Sequence, residues 1–277
     1  MPTVPVGDAT LHYEVTGTSG DPVVLIHGSW VDHHNFDALV GPLSQSLQVL
    51  AYDRRGHGQS TGPLRLHPVR DDARDLAGLL EAVDFYPAHL VAHSYAGAVA
   101  FRLAVDRPEM VRSLSVHEAP YAGLLEDDPA TSTEADRVLG LLRELQARVR
   151  AGDAEGAARG VTDAFSLQPG AWDRLPSAVR ATFLHHADRW CEEFDDPEAV
   201  RPDSRELSDL LVPVLLTQGE LSPPFVHRVT AKLAGALRNA GVQTLTDAGH
   251  VPQVTEPLQY AGLLGVFLLE RNVPVTG

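Results

Sequence analysis

Short apolar runs alternate with amphipathic stretches through the first 120 residues. "DPVVLIHG" (21–28) reads as a buried strand ending at Gly28, and "LQVLAYDRRGHGQS" (47–60) as a strand followed by a glycine-punctuated loop. "VRDDARDLAGLLEAV" (69–83) carries apolar residues at helical spacing with charges opposite. "AHLVAHS" (88–94) is a further strand, and "YAGAVAFRLAVDRP" (95–108) a helix of small residues stopped before Pro108. "VRSLSVHEAP" (111–120) is a strand closed by Pro120. Strands alternating with helices predict an α/β fold, a mostly parallel sheet covered on both faces.

The rhythm changes near residue 120. "EADRVLGLLRELQARVRAG" (134–152), "DAEGAARGVTDAFSL" and "SAVRATFLHHADRWCEEF" read as three helices with no strand between them. Sheet character returns at "LLVPVLLTQG" (210–219), followed by helix "FVHRVTAKLAGALRNA", strand "VQTLTDAGH" and helix "TEPLQYAGLLGVFLLERN". The expected organisation is a core of residues 1–120 and 209–277, interrupted by a helical cap over 121–208. A structureless loop of that length would be improbable.

Composition narrows the function. The net charge is −15, and Lys232 is the only lysine. No basic stripe exists to neutralise phosphates, so neither nucleic acid nor an anionic membrane is an expected partner. Cys191 is the only cysteine, which excludes an intramolecular disulfide and any cysteine-based metal site. The first residues lack the basic start and apolar run of a signal peptide, and no apolar run reaches membrane-spanning length. The expectation is a cytoplasmic protein, monomer or homodimer, with no cofactor and no metal.

The chemistry centres on "AHSYAG". Ser94 stands between Ala92 and Ala96, where a strand meets a helix. A nucleophile on such a bend needs small neighbours two residues away on each side. The helix start aims free N–H groups at the reacting centre, so the Tyr95 amide is one oxyanion donor. The Ser29 amide, in "HGSW", is the second candidate. His250, in "DAGHVPQVTEP", follows the last strand at a glycine and is the candidate base. His27, His57 and His93 read as structural histidines bonded to backbone.

"HGSW", "DRRGHGQS", "AHSYAG" and "AGHVPQVTEP", in that order, resemble the α/β-hydrolase fold superfamily over essentially the whole chain. The resemblance implies an eight-stranded, mostly parallel sheet with a helical cap after the sixth strand. It also implies Ser94 as nucleophile, His250 as general base, and the Ser29 and Tyr95 amides as oxyanion hole. Most members carry an aspartate after the seventh strand, three residues past a glycine. That position is Ser222 in "TQGELSPP". Two glutamates are left as the acid. Glu118 follows the sixth strand, where haloalkane dehalogenases place theirs, and Glu220 lies on the usual loop. Asp247 is too close in sequence to His250 to reach its far nitrogen.

The implied activity is a serine hydrolase, of carboxylesterase or lactonase type, acting on an ester, thioester or lactone of a small to medium hydrophobic acyl substrate. Trp30, Tyr121, His186 and Trp190 are the expected pocket residues, with Tyr95, Trp172, Phe183 and His185 as further lid or pocket candidates. The displaced acid keeps two rivals open. One is a lyase or cyclase that uses His250 and the oxyanion hole without an acyl-enzyme. The other is a ligand-binding receptor with little turnover.

Overall fold

The computed structural model describes residues 2–63, 68–166 and 170–269. Eight strands form one sheet: β1 (Thr3–Val6), β2 (Ala9–Thr16), β3 (Pro22–Ile26), β4 (Gln48–Tyr52), β5 (Ala88–His93), β6 (Val111–His117), β7 (Val214–Gly219) and β8 (Ala240–Leu245). Their order is β1-β2-β4-β3-β5-β6-β7-β8. The β1–β2 and β2–β4 pairs are antiparallel and every other pair is parallel. The central strands are buried on both faces. β5 is wholly buried, His89 and His93 included. β1 alternates exposed and half-buried positions at the sheet edge, and its Pro5 is tolerated there. That short, weakly apolar strand was absent from the periodicity and came only with the resemblance.

The helices are α1 (Asp37–Leu43), α2 (Pro68–Ala82), α3 (Ala96–Asp106), α4 (Ser132–Arg150), α5 (Ala154–Ser166), α6 (Ala171–Arg174), α7 (Ser177–His185), α8 (Ala187–Asp195), α9 (Ser204–Asp209), α10 (Pro224–Ala236), α11 (Pro252–Thr255) and α12 (Pro257–Leu269). Residues of α2, α3 and α10 pack in one core cluster, and residues of α1 and α12 in a second. Helices α4 to α9 lie between β6 and β7, where the cap is expected, although Leu207 of α9 packs in the core cluster with α3 and α10. A third apolar cluster joins Val138, Leu142, Trp172 and Trp190 of the cap to Trp30 of the core. Among the described residues, no helix is long and apolar enough to cross a membrane.

One expected element is divided. The stretch from Ser177 reads as a single helix but forms α7 and α8, meeting at His186. The cause is local. The His186 ring is buried and fixed at both nitrogens, accepting from Gly58 N at 3.3 Å and facing Trp30 O at 3.3 Å. Holding that ring against the core turns the chain there.

The turn directs α8 onto the core, where charged side chains are buried in pairs. Asp72 of α2 accepts from Arg54 at 2.7 Å and from Arg189 of α8 at 2.9 Å. Arg54 also pairs with Glu193 of α8 at 2.6 Å. A buried charge stripped of its partner is costly, so Asp72→Ala should destabilise the fold by about 3–5 kcal/mol. Breaking the exposed Arg159–Asp173 pair should change stability far less, because water screens both charges. Urea unfolding of the two variants measures the difference.

Candidate active site

Parallel strands end together, so the loops after β3, β5, β6, β7 and β8 gather at one edge of the sheet. Ser94 follows β5 directly. Its backbone is left-handed, at φ 55°, and its N–H donates to His117 O at 2.9 Å. A non-glycine residue held there costs about 1–3 kcal/mol and persists only where its surroundings impose it. The small neighbours have visible causes. Ala92 and Ala96 are fully buried. A Cβ on Gly97 would lie 2.7 Å from Val116 Cγ1.

Glu118 follows β6, also left-handed at φ 50°, and is 4% exposed. Its Oε2 lies 2.7 Å from His250 Nδ1. Its Oε1 accepts from Gly219 N at 2.8 Å and from Ser222 Oγ at 2.5 Å. The serine at the usual aspartate position therefore binds the carboxylate that comes from the neighbouring loop. Burial alone would push the Glu118 carboxyl up. The His117 and His250 imidazoles and the Gly219 N–H outweigh that and hold it well below the usual carboxylate range. Glu220 is exposed, and its Oε2 accepts from Asp247 N at 3.1 Å. It serves the surface of the loop and not His250.

Two further histidines fix the loop that carries His250. His93 Nε2 donates to His250 O at 2.6 Å, and His117 Nε2 to Gly249 O at 3.2 Å. His117 Nδ1 faces Thr217 Oγ1 at 3.0 Å, an acceptor role that suits a neutral ring. Burial lowers both rings, His117 to about 4. The sequence showed His93 as a backbone-bonded histidine but not which backbone it holds, and it gave no role to His117. His27 and His57 also face backbone carbonyls, Gly28 O at 2.8 Å and Arg55 O at 3.2 Å.

The Gly28 loop abuts the serine. A Cβ on Gly28 would lie 3.2 Å from Ser94 Cβ and 3.0 Å from His93 O. Among the described residues, neither the Ser29 nor the Tyr95 amide donates a hydrogen bond, so both remain available to an oxyanion. Ser94 Oγ has no hydrogen-bond partner among the described residues, the looser arrangement common before substrate enters. A cavity of about 30 Å³ adjoins Ser94 and Glu118, walled by apolar side chains that include Val138, Leu142, Phe165, Phe194 and Phe225.

The expected pocket residues lie elsewhere. Trp30 packs on Trp190 and Phe183, at ring separations of 4.8 and 5.7 Å. Tyr121 packs on Phe101, His186 is the pivot between α7 and α8, and Trp172 packs on Phe183. His185 is exposed. These large rings seat the cap on the core, and smaller residues with three phenylalanines line the cavity.

Among the described residues, one group could approach a metal ion: His12, His33 and Asp53, with ligand atoms within 4.8 Å of one another. The Asp53 carboxylate is already occupied. Oδ1 accepts from His33 N at 2.9 Å and from His33 Nδ1 at 2.7 Å, and Oδ2 from Gln59 N at 2.8 Å. Against the effect of burial, these bonds bring its carboxyl down to about 2. The group reads as a brace between two loops.

The model of the alpha/beta hydrolase family matches residues 23–263. The chain belongs to that family. A putative carbamate hydrolase RutD of Azorhizobium caulinodans is 34% identical over 116 residues, covering 42% of this chain and 43% of the relative. The match to that relative thus spans less than half of its length. The RutD of Variovorax paradoxus is 28% identical over 95% of this chain and 98% of its own. Among solved structures, an alpha/beta hydrolase from a Medee basin deep-sea metagenome library superposes with a TM-score of 0.80 at 18% identity, covering 98% of each chain. A thermophilic esterase from Thermogutta terrifontis gives 0.78 at 23% identity, over 99% of this chain and all of the other. At such identities the likeness is one of fold.

The neutral buried histidines of this alpha/beta hydrolase give its stability a pH signature. Folding lowers the His117 value, so the unfolded chain binds more protons between about pH 6.5 and 4. Stability is therefore full above that window and falls as pH falls through it. The depressed Glu118 value acts with the same sign below the unfolded carboxylate value. From His117 alone, the loss between pH 7 and 5 should be about 2 kcal/mol. Urea midpoints across that range test it, and a flat profile would contradict neutral buried rings.

Proposed function

We propose that this chain is a cofactor-independent serine hydrolase that cleaves an ester, thioester or lactone of a small to medium apolar substrate through an acyl-enzyme on Ser94. The observation that carries the reading is the 2.7 Å contact between His250 Nδ1 and the buried Glu118 carboxylate. That contact holds a proton on Nδ1 and leaves Nε2 free to act as base. Ser94 Oγ attacks the acyl carbon while Nε2 takes its proton. The carbonyl electrons move to the oxygen, facing the Ser29 and Tyr95 amides. Glu118 stabilises the imidazolium without becoming protonated. Collapse expels the alcohol or thiol, which takes the proton from Nε2. In a lactone the leaving alcohol stays tethered to the acyl group. Water then attacks the acyl-enzyme by the same route and regenerates Ser94.

Two further features support this reading. The wall beside Ser94 is apolar and carries no cation, which matches an apolar acyl group rather than an anionic one, and the cavity of about 30 Å³ must widen to admit it. The carbamate hydrolases named above act, by their names, on another acyl carbonyl. A serine nucleophile argues against dehalogenase or epoxide hydrolase chemistry, since relatives doing those reactions use aspartate.

A fluorophosphonate probe should label the wild-type chain stoichiometrically, and Ser94→Ala should abolish labelling. Glu220→Gln should label at a rate within about twofold of wild type, because its carboxylate faces the surface. Mass spectrometry of the adduct reads all three. An unlabelled wild-type chain would refute the acyl-enzyme.

A further inference from the structure

Glu193 is a cap residue with no exposure at all, and its carboxylate reaches the loop that carries the proposed oxyanion donor. Its Oε2 accepts from Ser29 Oγ at 2.5 Å. Its Oε1 lies 2.6 Å from Arg54 Nη2 and 3.5 Å from His57 Nε2. The Arg54 contact is a close charge pair without an aligned N–H, since Oε1 accepts no hydrogen bond of good geometry. Arg54 directs its aligned donors at the same loop. Nε donates to His27 O at 3.0 Å and Nη2 to Gly28 O at 2.9 Å. Its guanidinium also sits 4.7 Å from the centre of the Tyr95 ring.

The peptide plane converts these contacts into chemistry. Gly28 O belongs to the same planar trans unit as Ser29 N–H, so the two point in opposite directions. Holding Gly28 O on Arg54 aims the Ser29 N–H away from it. A Cβ added at Gly28 would meet Ser94 Cβ at 3.2 Å and His93 O at 3.0 Å, so this peptide lies close beside Ser94. Arg54 grips one side of the unit from the core. Glu193 grips the Ser29 side chain from the cap and neutralises Arg54.

We propose that Glu193 is a positioning residue that makes the oxyanion hole depend on docking of the cap. With α8 seated, its carboxylate pins Ser29 and fixes Arg54, and through them the orientation of the Ser29 amide. With α8 displaced, Ser29 Oγ loses its acceptor and Arg54 loses a counter-charge, so the amide has one fewer restraint. The cap then does more than enclose the substrate, because its arrival completes the charge-stabilising group. The inference rests on reading Ser29 N–H as an oxyanion donor.

The test is the rate at which a fluorophosphonate labels Ser94 in the full chain, since phosphonylation also develops charge on an oxygen. Ser29→Ala removes only a hydroxyl and keeps the backbone donor. Glu193→Gln keeps an acceptor but removes the negative charge that faces Arg54. Each should slow the limiting rate at saturating probe by about tenfold or more, a loss typical of a misplaced donor. The half-saturating concentration should stay within about twofold. Ser29→Thr, which restores the hydroxyl, should recover most of the rate. The double variant Ser29→Ala, Glu193→Gln should be no slower than the slower single, because both act through one contact. Wild-type labelling rates in both single variants, with or without a loss of stability, would overturn the proposal and reduce Glu193 to a structural tie. Multiplicative losses in the double variant would also overturn it, by making the residues independent. Failure of the wild-type chain to label is a different result, and it would remove the serine hydrolase reading itself.

Discussion

A carboxylate is kept ionised inside the protein, and the geometry of the site follows from how that is achieved. Glu118 is almost fully buried, which by itself disfavours its charge. Three donors compensate: Gly219 N and Ser222 Oγ on one oxygen, His250 on the other. Gly219 and Ser222 belong to the loop after β7 and His250 to the loop after β8, and the parallel order β5-β6-β7-β8 brings both loops beside Glu118 at one edge of the sheet. Close approach sets further conditions. A Cβ at Gly219 would collide with Ala248 O at 2.4 Å, so the β7 loop can lie against the β8 loop only as glycine.

Around that charge the protein uses neutral imidazoles as hydrogen-bonding fittings. His93 and His117 hold the carbonyls of His250 and Gly249, and His27 accepts from Arg54 N at 3.0 Å. Burial keeps these rings uncharged, which suits a site where one histidine alone is to gain and lose a proton. On the opposite side, charges are buried in compensating pairs: Arg54 with Asp72 and Glu193, and Arg189 with Asp72. The two schemes meet at the Gly28 loop, which lies close beside Ser94 and is held by Arg54 of the core and Glu193 of α8. Left-handed backbone marks the same region, at Trp30, Ser94 and Glu118.

The strands from β3 onward and the longer helices α4 and α5 were readable because their periodicities are strong, whereas α7 and α8 read as one helix and the short α6 and α9 left no periodic signal. The bend at Ser94 was readable from small residues at a strand–helix junction. Glu118 came from the resemblance: Ser222 departs from the family's usual pattern, and haloalkane dehalogenases place their acid after the sixth strand, with Glu220 kept as the alternative. What periodicity missed is long-range. Glu193 sits in "CEEF", beside an ordinary partly exposed Glu192, and only the bend at His186 shows which of the two is buried. Arg54 and Arg55 are adjacent, yet one enters the Glu193 network and the other pairs with Asp75 and Asp8. How the aromatic residues divide between seam and cavity is also set by long-range packing. Large rings gain most by burial wherever two surfaces meet, and here the seam between cap and core takes more of them than the cavity does.

The central claim is that the working carboxylate has moved from the β7 loop to the β6 loop, with Ser222 supporting it from the old position. Moving it back is the direct measurement. Rates of fluorophosphonate labelling or ester turnover would be compared in wild type, Glu118→Gln, and Glu118→Gln with Ser222→Asp. Losing the charged partner of a catalytic histidine costs about 10⁴ in a comparable triad, so the single variant should fall by about 10³ or more. The second substitution should return at least tenfold of that loss, since Ser222 Oγ already lies 2.5 Å from the Glu118 carboxylate. A Glu118→Gln chain that reacts at the wild-type rate would contradict the account.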